Sequence, residues 1–226
     1  DVALHGQGAP LVPLGDRLLF GGHRFCLNLG GIANVTIHET HKTIAFDICP
    51  ANMALNYLAE EAGLPYDDRG KMSSAGDLDL NLLTRLNELP FYSQKGAKSL
   101  GREWFEQSFL PLIDVKDLSV ENRMRTVCEH IASKVADALP VAPGTTILTT
   151  GGGAFNDFLI ELIENRVSSK GIHTIIPESS IIQFKEAVIF ALLGWLRFNE
   201  EINTLSSVTG AVQDSSSGCI YLSPER

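Results

Sequence analysis

Twice along this chain an apolar, β-type run stops at a cluster of glycines. Phe25-Cys-Leu-Asn-Leu29 runs into Gly30-Gly31, and the threonine-rich run 145–150 runs into Gly151-Gly-Gly153. Short runs of apolar and β-branched residues closed by glycine read as strands. Two more follow the first at once, 33–38 and 43–48, joined by a polar turn at 39–42. Connections that tight predict an antiparallel meander, because parallel pairing needs a long crossover. Around the second cluster the period changes. Residues 154–167 and 184–198 carry helical spacing, with a short strand-like run at 173–176 between them. Helix–strand alternation predicts parallel pairing. The two patterns together predict an α/β fold: a mixed five-stranded sheet flanked by helices.

The middle of the chain is different. Pro50 can open a helix where its missing N–H costs nothing, and Gly63 can close it. Residues 63–118 are rich in Gly, Ser, Asp and Pro around one amphipathic helix, 77–88, with Leu78, Leu82, Leu83 and Leu86 on one face. This segment reads as a helical insertion or subdomain. A long helix, 118–139, follows, with Val120, Met124, Val127, Ile131 and Val135 at helical spacing.

With 44% hydrophobic and 20% charged residues, neither disorder nor a coiled-coil rod fits. The formal charge of −9 leaves no basic face for a phosphate backbone, so no nucleic-acid partner is expected. Cys26, Cys49, Cys128 and Cys219 form no C-x-x-C pair, against a zinc ribbon or a thioredoxin-type site. Cys26 and Cys49 lie in apolar runs and read as small buried residues. The longest apolar run, 187–196, is about half of the roughly 20 residues that a membrane helix needs. The start of the chain has no basic-then-apolar pattern. A soluble, cytoplasmic protein with no membrane partner is the expectation.

Glycines at a strand end let phosphate approach the backbone. Leu29-Gly-Gly-Ile-Ala-Asn34 fits that use, with an ordinary hairpin turn as the alternative. Thr150-Gly-Gly-Gly-Ala-Phe-Asn156 opens a helix and suits an anion or a flat ligand; close packing is the alternative. It is not G-x-G-x-x-G, which weighs against a nicotinamide dehydrogenase. Gly96-Ala-Lys-Ser99 has the ending of a phosphate loop without the G-x-x-x-x-G-K-[ST] spacing. His38 and His41 flank a polar turn and read as solvated. Asp1, Asp47, Asp68 and Glu186 are the acids beside glycine, proline or small-residue motifs. Asp47 ends the third strand, where a carboxylate can face a metal–phosphate site.

Taken together, these motifs resemble the C-terminal half of the actin/hexokinase superfamily, a ribonuclease H-like fold. Within it they resemble the anhydro-N-acetylmuramic acid kinases, bacterial sugar kinases of peptidoglycan recycling. Asp1-Val-Ala-Leu-His-Gly-Gln-Gly-Ala-Pro-Leu-Val-Pro13 resembles the signature D-x-x-x-G-G-Q-G-A-P-L-V-P, with His5 in place of a glycine. Asn28 to Asn34 resembles the second phosphate loop, and Lys98-Ser-Leu-Gly-Arg-Glu103 resembles K-S-T-G-R-E. Gly151 to Asn156 resembles G-G-G-A-x-N; Glu186-Ala-Val-Ile-Phe-Ala and Thr209-Gly-Ala211 complete the set. D-T-G-P-G-N stands here as Asp47-Ile-Cys-Pro-Ala-Asn52, with both glycines replaced. The family's N-terminal loop G-T-S-x-D-G is absent, so residues 1–226 resemble the C-terminal portion of the enzyme.

The resemblance implies ATP-dependent conversion of 1,6-anhydro-N-acetylmuramic acid to N-acetylmuramic acid 6-phosphate, with Mg²⁺. It implies Asp1 as the base that activates water, and Gln7, Gly8, Pro10 and Glu186 around the sugar. Gly30, Gly31, Asn34 and Asp47 would serve the ATP phosphates, Asp47 also the metal, and Gly151, Gly152, Gly153 and Asn156 the adenosine. The partner is then a small amino sugar, with room for a homodimer. A non-catalytic nucleotide-binding or interaction module is the alternative. Two further expectations follow. Glycine at positions 49 and 51 should tighten ATP binding, and the chain as given should fold without catalysing.

Overall fold

Five strands form one sheet in the order β3-β2-β1-β4-β5: β1 Phe25–Leu29, β2 Ile32–His38, β3 Thr43–Pro50, β4 Thr145–Thr150 and β5 Ile172–Ile175. The structure is a computed structural model that describes residues 1–94 and 98–221. β1, β2 and β3 pair antiparallel, while β4 pairs parallel to β1 and β5 parallel to β4. This is the mixed five-stranded sheet that the two glycine-closed patterns predict.

Alternation along the strands sends side chains to two faces. Phe25, Leu27, Leu29, Ala33, Val35 and Ile37 enter the main core. It is closed by α2 Asn52–Glu61, α3 Leu80–Asn87, α4 Val120–Ala138 and α5 Asp157–Val167. Residues 63–118 add Leu82, Leu86, Phe105, Phe109 and Ile113 to that same core. The opposite face carries Asn28, Asn34, Thr36, Ala45 and Asp47. It is covered by α1 Val12–Phe20 and α6 Ser179–Phe198 through Leu14, Ile189, Leu193 and Leu196. A Cβ on Gly15 would overlap the Ile189 side chain, so glycine sets how closely α1 approaches α6.

One bulge decides what β3 presents. Ala33 pairs with Cys49 but Asn34 pairs with Asp47, leaving Ile48 as the extra residue. Ile48 and Cys49 therefore both enter the core, while Asp47 stays on the opposite face.

Several boundaries differ from the sequence reading, and caps explain most of them. β3 runs on to Pro50, so α2 begins at Asn52. Asp79 caps α3 by accepting from Leu82 N at 2.7 Å, and Ser119 caps α4 by accepting from Asn122 N at 3.2 Å. Asn156 caps α5 in the same way, which leaves Gly152–Phe155 as a single 3₁₀ turn. α1 was not anticipated, because proline and glycine mask its helical period. α6 starts five residues before the predicted 184. It is 20 residues long, and by length and composition it could cross a membrane. Here its Ile182, Lys185, Ile189, Leu193 and Leu196 are buried, and Phe184, Val188, Trp195 and Phe198 are exposed.

Candidate active site

The face opposite the main core opens into a cavity of about 410 Å³. Sheet alternation supplies Asn28, Asn34 and Asp47 to its wall. Gln7 and Pro10 come from the loop before α1, Gly151 from the end of β4, and Glu186 from α6. Six residues singled out from the sequence (Gln7, Pro10, Asn34, Asp47, Gly151 and Glu186) thus meet in one place.

Asp1 lines neither cavity but is bonded to the Gln7–Pro10 loop through Gly8. One carboxylate oxygen accepts from Gly8 N at 2.8 Å and the other from Thr209 Oγ1 at 2.8 Å. A Cβ on Gly6 would overlap this carboxylate, so a larger residue there would displace the Asp1 side chain. His5 closes the preceding turn at φ 66°, in the left-handed region where the kinase signature has glycine. Gly8 is drawn inward by its bond to Asp1 and lines neither this cavity nor the next.

Asp47 is held by the inserted segment. Its Oδ2 accepts from Leu100 N at 2.8 Å and Ser99 Oγ at 3.1 Å, while its N–H donates to Lys98 O at 3.0 Å. Lys98 and Ser99 also line the cavity. Burial lowers the Lys98 ammonium's pKa, and its Nζ lies 4.4 Å from the centre of the Phe91 ring. Gly96 and Ala97, half of the candidate phosphate loop, lie outside the described residues.

The cavity floor holds a pair that the sequence reading missed. Lys185 Nζ lies 2.8 Å from Asp16 Oδ1, with 7% and 3% of the two side chains exposed. Thr36 Oγ1 donates to Asp16 Oδ2 at 2.8 Å, and Lys185 donates to Thr150 Oγ1 at 3.3 Å. α1, β2, β4 and α6 are thereby joined beneath the cavity. A lysine beside Glu186 inside an otherwise apolar helix was the available signal.

A second cavity of about 690 Å³ adjoins the first, and Ile182 lines both. Its wall includes Gly152, Gly153, Asn52, Tyr66, Arg69 and Phe155. The glycine cluster therefore divides, with Gly151 in the first cavity and Gly152 and Gly153 in the second. Gly151 has φ 81° and packs on Leu29, so glycine is required by both conformation and space. Asn156 reaches this wall, but its Oδ1 is used in capping α5 through Leu159 N at 2.9 Å. Asp68 also lines this cavity and is bound to Lys71 at 2.6 Å.

Gly30 and Gly31 line neither cavity. Their carbonyls accept from Asn52 N at 3.0 Å and Ala51 N at 2.8 Å, so the turn docks the start of α2. Two expectations require correction. Cys49 and Ala51 are fully buried in the main core, so their side chains do not hold a ligand away from the backbone. His38 is half-buried, not solvated; its Nε2 lies 3.8 Å from Cys26 Sγ, and burial lowers its pKa.

The family profile for anhydro-N-acetylmuramic acid kinase matches residues 1–223. The kinase of that name from Vibrio vulnificus is 31% identical over 230 residues, covering 98% of this chain and 62% of the relative. A Bacillus cereus kinase of the same name is 32% identical over 241 residues, covering 99% and 63%. This chain thus spans about three-fifths of the length of these curated relatives. Among solved structures, the activator of the 2-hydroxyisocaproyl-CoA dehydratase from Clostridium difficile with bound ADPNP aligns with TM-score 0.49. It is 15% identical, covering 79% of this chain and 62% of that one.

Proposed function

The chain belongs to the anhydro-N-acetylmuramic acid kinase family, and from that premise we propose that the full-length protein phosphorylates 1,6-anhydro-N-acetylmuramic acid with ATP. The observation that carries this reading is the division of the glycine cluster between two adjoining cavities. Adenosine bound along Gly152 and Gly153 would direct its phosphates past Gly151 toward Asn34 and Asp47. The sugar would lie by Gln7, Pro10 and Glu186. In this reading residues 1–226 form the C-terminal actin-like half, with 63–118 inserted in it. The opposing surface would come from the part of the relatives' length that this chain does not span.

The chemistry asks for a base, a phosphate cradle and water control. Asp1 takes a proton from water as the water oxygen bonds to the anomeric carbon. The anhydro C–O bond breaks, and its oxygen, O6 of the sugar, bonds to the γ-phosphorus as the bond from that phosphorus to the bridging oxygen breaks and ADP leaves. Mg²⁺ would neutralise charge on the ATP phosphates. No cluster of three or more His, Cys, Asp or Glu side chains suited to a metal exists among the described residues. Asp47 would therefore offer its free Oδ1 beside phosphate oxygens, since Oδ2 serves Ser99 and Leu100. Gly8 acts through Asp1 and not by touching sugar. The reading places the enzyme in the cytoplasm. It allows a homodimer.

Turnover in ¹⁸O-labelled water tests the bond assignment. The reading expects one ¹⁸O at the anomeric carbon of the product and none in its phosphate. Label in the phosphate would refute it.

A further inference from the structure

We propose that Thr209 is a positioning residue for the Asp1 carboxylate, acting through its buried hydroxyl; the inference rests on the reading of Asp1 as the base. Thr209 is 1% exposed, and its Oγ1 lies 2.8 Å from Asp1 Oδ1. The hydroxyl has one proton and two acceptors within reach, Asp1 and Leu205 O at 3.3 Å. The shorter bond to an ionised acceptor is the stronger one. With Gly8 N on Oδ2, each carboxylate oxygen has one donor, so the plane of the group is fixed and each oxygen keeps a lone pair.

The segment bearing Thr209 is built to stay in place. Gln7 N donates to Thr209 O at 3.0 Å and Val212 N to Leu4 O at 3.0 Å, which ties the segment to the Asp1 loop by its backbone. Asn203, itself buried, donates to Leu193 O at 3.1 Å and Ser217 O at 2.9 Å and accepts from Ser217 N at 2.7 Å. Ser206 N and Oγ both donate to Asp214 Oδ1, at 2.8 and 2.6 Å. α6 thus supports the segment, the segment supports Thr209, and Thr209 orients Asp1. None of these scaffold bonds needs the Thr209 hydroxyl, so Thr209→Val removes the bond to Asp1 together with the longer contacts to Leu205 O at 3.3 Å and Ala211 N at 3.4 Å, and leaves the rest of the scaffold.

Misplacing a catalytic group by about 1 Å can cost on the order of 100-fold in rate. In the full-length enzyme, Thr209→Val should lower kcat roughly 10- to 100-fold on that scale. The KM values for anhydro-sugar and ATP should stay within about twofold, and Thr209→Ser should retain most of kcat. A purely structural role would not produce that split or that rescue. Gly6→Ala, which displaces the carboxylate with the hydroxyl intact, should lower kcat in the same way and serves if Thr209→Val does not fold. Unchanged kcat in Thr209→Val, or in Gly6→Ala where the valine variant cannot be studied, overturns the positioning role and leaves the reading of Asp1 standing. An unaltered full-length enzyme that does not turn over the anhydro-sugar overturns both.

Discussion

Lys185 and Asp16 face each other at 2.8 Å beneath the first cavity, each more than nine-tenths buried. Removing one partner of such a pair strands the other charge in the interior, which costs about 3–5 kcal/mol, whereas apolar replacement of both is often neutral or stabilising. Lys185→Met and Asp16→Leu should each lower the urea midpoint strongly. The double variant should recover most of the loss. Equal, additive losses would mean that the two charges are not coupled.

His5 pairs a β-carbon with φ 66°. Left-handed backbone costs an L-residue about 1–2 kcal/mol relative to its right-handed form, and glycine avoids that cost. Glycine also gains entropy in the unfolded chain, so His5→Gly should stabilise by at most about 1 kcal/mol. Thermal melting of the two versions measures the difference.

Cys49 and Ala51 have no exposed surface. Cys49→Gly with Ala51→Gly should destabilise by roughly 2 kcal/mol or more, through backbone entropy at two positions plus a cavity. ATP affinity should not tighten. Calorimetry on the double variant decides between this and the phosphate-distance expectation from sequence.

His130 joins the inserted segment to α4. Its ring nitrogens lie 2.9 Å from Asn87 Oδ1 and 2.8 Å from Tyr92 Oη. Burial lowers its pKa from 6.5 to about 3, so the unfolded chain binds this proton first. Stability should therefore fall as pH drops below about 6.5 and keep falling until about 3. Glu61, lowered from 4.5 to about 2 by Arg123 and Lys116, also costs stability in acid, but only below about 4.5. Between pH 6.5 and 4.5 the decline should become shallower in His130→Gln, leaving the share of His38, whose pKa burial also lowers, and urea titrations across that range would reveal it.

Much of this was legible because period and punctuation are local. The runs 25–29, 33–38, 43–48 and 145–150, two of them stopped by glycine, were enough for a mixed sheet with an antiparallel meander, while the strand order was not legible. The bulge at Ile48 was not, because a bulge is a property of two paired strands and only then decides which face Asp47 takes. α1 was hidden by Pro13 and Gly15, whose reasons lie in helix initiation and in contact with Ile189. The site was legible where a residue touches the cavity through its side chain, as at Gln7, Asp47 and Glu186. Nothing in the sequence signalled that the Gly30 and Gly31 carbonyls dock the start of α2, because those bonds form only once the turn and the helix meet. Asp16 and Lys185 were missed because their pairing spans 169 positions of sequence.

The most direct measurement is sugar-dependent ADP release by the full-length protein with ATP, Mg²⁺ and 1,6-anhydro-N-acetylmuramic acid, beside its Asp1→Asn version. The account predicts turnover by the first, with N-acetylmuramic acid 6-phosphate as product, and a loss of roughly 100-fold or more in the second, in keeping with removal of a general base. Full activity in Asp1→Asn, or turnover of glucose with none of the anhydro-sugar, would contradict it.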